Sequence, residues 1–209
     1  MKRRLLKVAL STGVCLPYLT EGDPAATPLL LVHAVGDSHR IFEGLLDHLP
    51  PSIYALAPTL RGHGDATRPP SGYSPRDMAA DLAAFLEAVQ IDAAVIGGGS
   101  SGGLVAQRFS LDYPTHVRGL VLLGVPLRFT DKPAAQALWD GTFAKLTDPV
   151  DTVLIRQFIE STLSRELPEE LLSVLLQESL KVPAHVWRET MKEVLAADYS
   201  GELAELTVP

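Results

Sequence analysis

The chain has 209 residues, of which 46% are hydrophobic and 21% charged, and its formal net charge is −7. This composition excludes disordered, collagen-like and disulfide-stabilised proteins, because it supplies enough apolar residues for a core and only one cysteine, Cys15. A lone cysteine fits a reducing compartment, so we expect a cytoplasmic protein. The acidic balance, without clustered Lys and Arg, argues against nucleic acid and anionic membranes as partners and favours a small-molecule substrate.

The N-terminal stretch is predicted to form a β-hairpin. Residues 1–6 include positively charged side chains near the N-terminus, as a signal peptide does. However, Lys7 and the polar segment 11–13 interrupt the apolar run that a signal peptide requires. Two short apolar runs, 5–10 and 14–19, flank this interruption as hairpin strands would. No run in the sequence approaches the roughly 20 apolar residues of a membrane-spanning helix.

Four short, nearly continuous apolar runs follow, at 29–32, 53–57, 93–96 and 120–123. Such runs are typical of strands buried on both faces, as in a parallel sheet covered by helices. Between these runs, the apolar residues recur at one-turn spacing. The alternation predicts an α/β fold with a mostly parallel sheet and flanking helices.

The first two predicted helices lie over residues 41–49 and 78–89. The second has a defined start, because Ser74 is placed as an N-cap, Pro75 occupies the first helical position and Asp77 is the capping-box acid.

The pattern changes at residue 132. Helical spacing continues through 132–197 without a strand-like run, and prolines separate its helices. We therefore divide the chain into a core at 1–131, a helical subdomain at 132–197 and a terminal segment at 198–209.

The strongest chemical signal lies between the predicted strand 93–96 and the helix that follows it. Gly98-Gly99-Ser100-Ser101-Gly102 matches the G-x-S-x-G pattern of a nucleophile elbow. In such an elbow the glycines remove side chains that would collide in a sharp strand-to-helix turn. The turn leaves the Ser100 hydroxyl at the helix N-terminus, where the helix dipole stabilises developing negative charge.

A Gly-rich turn has two other interpretations: a packing turn or a dinucleotide-binding loop. Gly97, Gly99 and Gly102 can be aligned with G-x-G-x-x-G. However, this strand is not the first of the sheet, and no acidic residue ends a strand about 20 residues later, where ribose binding would need it. The nucleophile elbow is the favoured interpretation.

Together with the elbow, two further motifs resemble the α/β-hydrolase superfamily, in particular its small-molecule serine hydrolases with a helical cap. The first is His33-Ala34-Val35-Gly36-Asp37-Ser38, and the second is residues 58–65, each directly after a predicted strand. The resemblance covers essentially the whole chain. It implies an α/β-hydrolase fold with 132–197 as the cap, acting on an ester-like small molecule through an acyl-enzyme and without a cofactor or metal.

The resemblance also implies roles for individual residues. Ser100 is the expected nucleophile, and the backbone N–H groups of Ser101 and Val35 are the expected oxyanion hole. Because the elbow carries Ser and not Asp, the haloalkane dehalogenases and epoxide hydrolases are disfavoured. The residues expected at the substrate pocket are Ala34, Gly36, Gly99 and Trp187, the last of which could instead be a packing residue.

The chain departs from the family pattern at Ala34, Gly99 and Thr59, where Gly, His and Asp are usual. The family's catalytic acid and histidine follow the serine on later strands, and here they would lie beyond Pro209. The resemblance therefore implies that 198–209 leads into a missing core segment, and we expect the chain to lack the last strands of the fold and to be inactive alone.

No residue within the chain is a strong substitute for these groups. His63 and His185 are candidate replacement bases, and Asp131 lies several residues too late for the acid. Three functions stay open: a serine hydrolase, a binding protein that has lost its triad, and a cofactor-free haloperoxidase or perhydrolase. An exposed apolar sheet edge would also favour self-association.

Overall fold

The computed structural model describes residues 3–125, 128 and 133–209. A six-stranded sheet forms the centre of the fold, with strand order β1-β2-β4-β3-β5-β6. The strands are β1 (Arg4–Ala9), β2 (Cys15–Glu21), β3 (Thr27–Val32), β4 (Ile53–Pro58), β5 (Ala94–Gly99) and β6 (Val117–Leu123). The predicted hairpin and the four predicted strands are confirmed.

Five of the strands, β1 and β3–β6, run in one direction, and β2 runs opposite to them. β1 and β2 pair antiparallel, and β2 joins the sheet antiparallel to β4. β3 pairs parallel with β4 and β5, and β5 pairs parallel with β6. The carboxyl ends of β3, β4 and β5 therefore meet at one edge of the sheet, and the loops after them can share a site.

The first predicted helix is shorter than the pattern over 41–49 suggested. A 3-10 turn at His39–Phe42 is followed by one helical turn, α1, at Glu43–Leu46. The pair Pro50-Pro51 explains this difference, because a proline disfavours helical backbone in the residue before it.

The next two helices cover the sheet as expected. α2 spans Pro75–Ala88 and begins with a full capping box, in which Ser74 Oγ accepts the Asp77 N–H and the Asp77 carboxylate accepts the Ser74 N–H. α3 spans Ser100–Asp112. The core between these helices and the sheet includes the fully buried Phe85 and Phe109.

The remaining helices are α4 (Pro133–Gly141), α5 (Thr152–Ser161), α6 (Glu169–Leu180) and α7 (Ala184–Ala196). We call residues 133–196 the helical block. It packs over the carboxyl ends of the strands: on α6, Ser179 Oγ donates to the Gly36 carbonyl at 2.8 Å, and on α7, Trp187 lies against Gly36. Asp131 and Lys132 lie outside the described residues.

β6 lies at one end of the sheet and exposes apolar side chains. Val121 is 45% and Leu123 67% exposed. Pro209 reaches this strand, where its carbonyl accepts the Leu120 N–H at 2.8 Å. Self-association through this edge stays a prediction. Among the described helices, none has the length and apolar character needed to cross a bilayer.

Candidate active site

The turn between β5 and α3 holds Ser100 in a strained backbone conformation. Its φ of 48° lies in the left-handed region, which non-glycine residues rarely adopt. A Cβ at Gly98 would lie 2.6 Å from the Gly102 carbonyl oxygen, and a Cβ at Gly102 would overlap the Val32 carbonyl. Both glycines are therefore required by close backbone approach, and the turn has the geometry of a nucleophile elbow.

The Ser100 side chain is exposed at the first residue of α3. Within the described ranges its hydroxyl makes no hydrogen bond. The first N–H groups of a helix have no intrahelical partner, so this end of α3 also attracts negative charge.

The loop after β3 is tied to the elbow. The Val35 N–H donates to Ser101 Oγ at 2.9 Å. One residue later in the same loop, the Gly36 carbonyl accepts a hydrogen bond from the Ser179 hydroxyl. The two residues expected to form an oxyanion hole, Val35 and Ser101, are thus brought together beside Ser100.

Two buried histidines fix the loops around the site. His33 donates from Nδ1 to the Ala34 carbonyl at 2.8 Å and accepts the Leu60 N–H at Nε2, 2.9 Å away. His63 donates from Nδ1 to the Arg61 carbonyl at 2.9 Å. Burial lowers the pKa of His63 to about 4, and burial together with the neighbouring His63 places the pKa of His33 well below its usual value. Both rings are therefore neutral at pH 7.

None of the described histidines hydrogen-bonds to Ser100. His39 is bonded to the Thr59 hydroxyl at 2.6 Å, and His116 to the Asp92 carbonyl. His185, a candidate replacement base, lies against the Tyr73 ring with its centroid 6.3 Å away. His63, the other candidate, is committed to the Arg61 carbonyl through Nδ1.

A cavity of about 480 Å³ opens over Ser100. Its walls come from the loop after β3, the elbow, the end of β6, α5 and α6, and most of its lining side chains are apolar. Such a cavity is typical of a site for a small organic molecule. Ala34 and Gly99 are among its lining residues.

The family model for the α/β hydrolase fold matches residues 27–203. This chain belongs to the α/β-hydrolase family. An AB hydrolase superfamily protein, YisY, of Bacillus subtilis is 29% identical over 193 residues, which cover 87% of this chain and 70% of that protein. Three mycobacterial relatives, named as uncharacterized proteins, are 33% identical over 95 residues, and those residues span only 28% of their length.

Solved structures of α/β-hydrolases superpose on almost the whole chain. A hydrolase from Pseudomonas aeruginosa has a TM-score of 0.84 at 25% identity, covering 98% of this chain and 77% of that one. An esterase from Exiguobacterium antarcticum has a TM-score of 0.82 at 20% identity, covering 97% and 77%. Other relatives carry the names 3-oxoadipate enol-lactonase, lipase and soluble epoxide hydrolase.

Two residues expected at the pocket of this α/β-hydrolase do not line the cavity: Gly36 and Trp187. The Trp187 ring is fully buried, stacked on Phe143 at 5.5 Å and edge-on to Phe158 at 5.7 Å. A Cβ at Gly36 would overlap this ring. Trp187 therefore supports the loop after β3 from behind, while Phe158, which the sequence did not single out, faces the cavity.

Asp37 lines the cavity, but the sequence did not identify it as a pocket residue. It follows Gly36 in the loop motif, and its N–H donates to the Ala34 carbonyl at 3.1 Å. Its carboxyl group has no hydrogen bond or ion pair within the part of the chain that is described. Burial raises the pKa of Asp37 to about 7. A titratable group perturbed in this way within a cavity is a signal of a functional site.

Proposed function

We propose that this α/β-hydrolase cleaves an ester-like bond of a small molecule through an acyl-enzyme on Ser100. The observation that carries the proposal is the placement of Ser100, which combines a strained elbow, a helix N-terminus and a free hydroxyl at the floor of a mostly apolar cavity. Strain of this kind persists where the surrounding structure enforces it, and it is concentrated at functional sites.

The proposed reaction begins when a general base takes the Ser100 proton and Oγ attacks the substrate carbonyl carbon. The Ser101 N–H stabilises the resulting oxyanion, and the Val35 N–H joins it once the substrate oxygen replaces Ser101 Oγ as its acceptor. The tetrahedral intermediate collapses, the carbon–oxygen bond to the leaving group breaks, and the protonated base returns its proton to the departing alkoxide. A water molecule, deprotonated by the same base, then releases the acid and regenerates Ser100.

We further propose that the base and its acid partner come from outside the described residues. No described histidine contacts Ser100, and the chain spans 77% of the length of the two structural neighbours given above. The 209 residues alone are then expected to show only the residual activity that an elbow and oxyanion hole provide without a base. The lone Cys15 supports a cytoplasmic location for the protein.

Ser100 distinguishes this proposal from one alternative within the family, an epoxide hydrolase. An epoxide hydrolase of this family uses a carboxylate nucleophile, and the elbow here holds a serine. A haloperoxidase-like or perhydrolase-like enzyme would use the same serine, so only an assay separates it from an esterase. The absence of a base beside Ser100 in the described structure favours one further candidate, a binding protein that retains the cavity without turnover.

The test is hydrolysis of p-nitrophenyl butyrate by the full-length natural protein, isolated with its intact mass recorded. We expect turnover that Ser100→Ala removes and a fluorophosphonate label that peptide mapping places on Ser100. Ser110→Ala, which removes another serine hydroxyl on α3 that is bonded within its own helix, is the matched control. Unchanged hydrolysis in Ser100→Ala would refute the proposal. No turnover and no label in the natural protein would favour the binding protein.

A further inference from the structure

The cavity over Ser100 presents few polar groups that are free to bind a substrate. Three of its described polar side chains are engaged within the protein: both nitrogens of His33, the Thr162 hydroxyl, which donates to the Ile159 carbonyl, and the Ser179 hydroxyl. The two that remain are the Ser100 hydroxyl and the Asp37 carboxyl group.

No described lining residue of the cavity neutralises Asp37. The cavity wall consists largely of apolar side chains, which include Ile41, Phe42, Phe158 and Leu175. No Lys or Arg occurs among the described lining residues. A carboxylate in such a place loses hydration without gaining a partner, which is costly unless a ligand supplies one.

The Asp37 carboxylate, unpaired among the described residues, affects which charged ligands the cavity favours. A ligand carboxylate would meet Asp37 and no described basic side chain, so it would be repelled. An ammonium group would donate charge-assisted hydrogen bonds to Asp37 and remove its desolvation cost. The apolar walls would hold the carbon chain that joins the ammonium group to the reacting carbonyl.

We propose that Asp37 is a specificity-determining residue that binds an ammonium group of the substrate, so that the cavity favours amino-substituted esters over carboxylate-bearing ones. The identification of the bound molecule as an ester rests on the function proposed for Ser100. The preference for an ammonium group does not, because it requires only the cavity and Asp37.

Binding of three matched probes tests the inference without turnover. Hexylammonium, hexanol and hexanoate share a six-carbon chain and differ in charge, and their dissociation constants are measured by NMR titration of the full-length Ser100→Ala protein at about pH 8, where Asp37 is ionised. We expect hexylammonium to bind about tenfold more tightly than hexanol, and hexanoate to bind most weakly.

Variants then assign the preference to Asp37. Asp37→Asn is expected to bring the three constants within about twofold of one another, while Asp37→Glu, which retains a carboxyl group, keeps the order. Asp92→Asn is the matched control, because Asp92 is exposed and lies before β5, at the opposite end of that strand from Ser100. Retention of the ammonium preference in a folded Asp37→Asn protein, or its absence in the parent protein, would overturn the inference.

The two proposals fail in different ways. If Ser100→Ala still hydrolyses the ester but the ammonium preference depends on Asp37, the proposed function is wrong and this inference stands. If hydrolysis depends on Ser100 but the three probes bind alike, only the role of Asp37 is wrong.

Discussion

The backbone N–H of Val35 donates to the hydroxyl oxygen of Ser101 at 2.9 Å, across 66 residues of sequence. This bond joins the loop after β3 to the first turn of α3. It also occupies the Val35 N–H, so this group serves the proposed oxyanion hole only when a substrate oxygen replaces Ser101 Oγ as its acceptor. The Ser101 side chain is buried, and among the described residues its hydroxyl accepts this bond and donates none.

Removal of this hydroxyl should weaken catalysis more than substrate binding. In Ser101→Ala the loop loses its anchor, and the loss of one such hydrogen bond is worth about 1 kcal/mol. We expect kcat for p-nitrophenyl butyrate in the full-length protein to fall about fivefold, with little change in KM, because the bond positions a group that acts in the transition state.

Ser110→Ala is the control for this experiment, since it also removes a buried hydroxyl from α3 but one that is bonded to the Ala106 carbonyl of the same helix. It should leave the kinetic constants near those of the parent protein. A rise in KM at constant kcat for Ser101→Ala would show that the hydroxyl contributes uniform binding and not positioning.

Gly36 is predicted to be intolerant of any side chain. Its φ of +84° lies in the left-handed region, and a Cβ there would overlap the buried Trp187 ring. We expect Gly36→Ala to destabilise the fold by about 1–3 kcal/mol, measured by urea unfolding, and to displace the loop that carries Val35.

The matched substitution is Gly44→Ala in α1, where an added Cβ meets no atom within 4 Å. Alanine in a helical turn should be neutral or slightly stabilising. Equal unfolding free energies for the two variants would contradict the contact between Trp187 and Gly36.

A buried ion pair links β4 and its following loop to α2. Asp81 is fully buried and accepts two hydrogen bonds from Arg61 and one from Thr12, each at 2.6 Å. Asp81→Ala would leave the Arg61 guanidinium buried without its partner, so we expect a loss of about 3–5 kcal/mol in unfolding free energy.

The double variant Arg61→Met with Asp81→Leu should recover much of that loss, because no charge then remains buried. Asp47→Asn alters an exposed ion pair with Arg3 and should change stability little. A similar small effect from Asp81→Ala would show that water reaches Arg61 in the folded protein.

The carboxyl group of Asp37 should make stability depend on pH. Burial raises the pKa of this group from its ordinary value of 3.8 to about 7 in the folded protein. Between about pH 4 and pH 7 the folded protein holds a proton that the unfolded chain has lost, so this group lowers stability as pH rises through that window. Its effect is constant above the window.

To test this, the unfolding free energies of the parent protein and of Asp37→Asn are measured and compared at about pH 4.5, 6 and 8. The variant cannot ionise, so its advantage over the parent should grow with pH and level off above 7. Parallel pH profiles for the two proteins would mean that Asp37 is hydrated in the folded state.

The sequence by itself determined the order of the elements and the position of Ser100, the candidate nucleophile, in the turn between β5 and α3. Buried parallel strands have continuous apolar runs, and the elbow requires glycine at Gly98 for a steric reason local to the turn, where a Cβ would meet the Gly102 carbonyl. Short-range constraints of this kind leave a direct mark on the sequence. The N-cap at Ser74 was predicted for the same reason and is confirmed.

Only the tertiary structure decided which side chains face the cavity. Trp187 and Phe158 are both aromatic residues of the helical block, yet Trp187 lies behind the loop and Phe158 lines the site. The hydrogen bond from Ser179 to Gly36 spans 143 residues, and it is contacts of this range that orient the helical block. The free carboxyl group of Asp37 depends on the same packing, because whether an acid is paired or buried alone is set by neighbours that are distant in the chain.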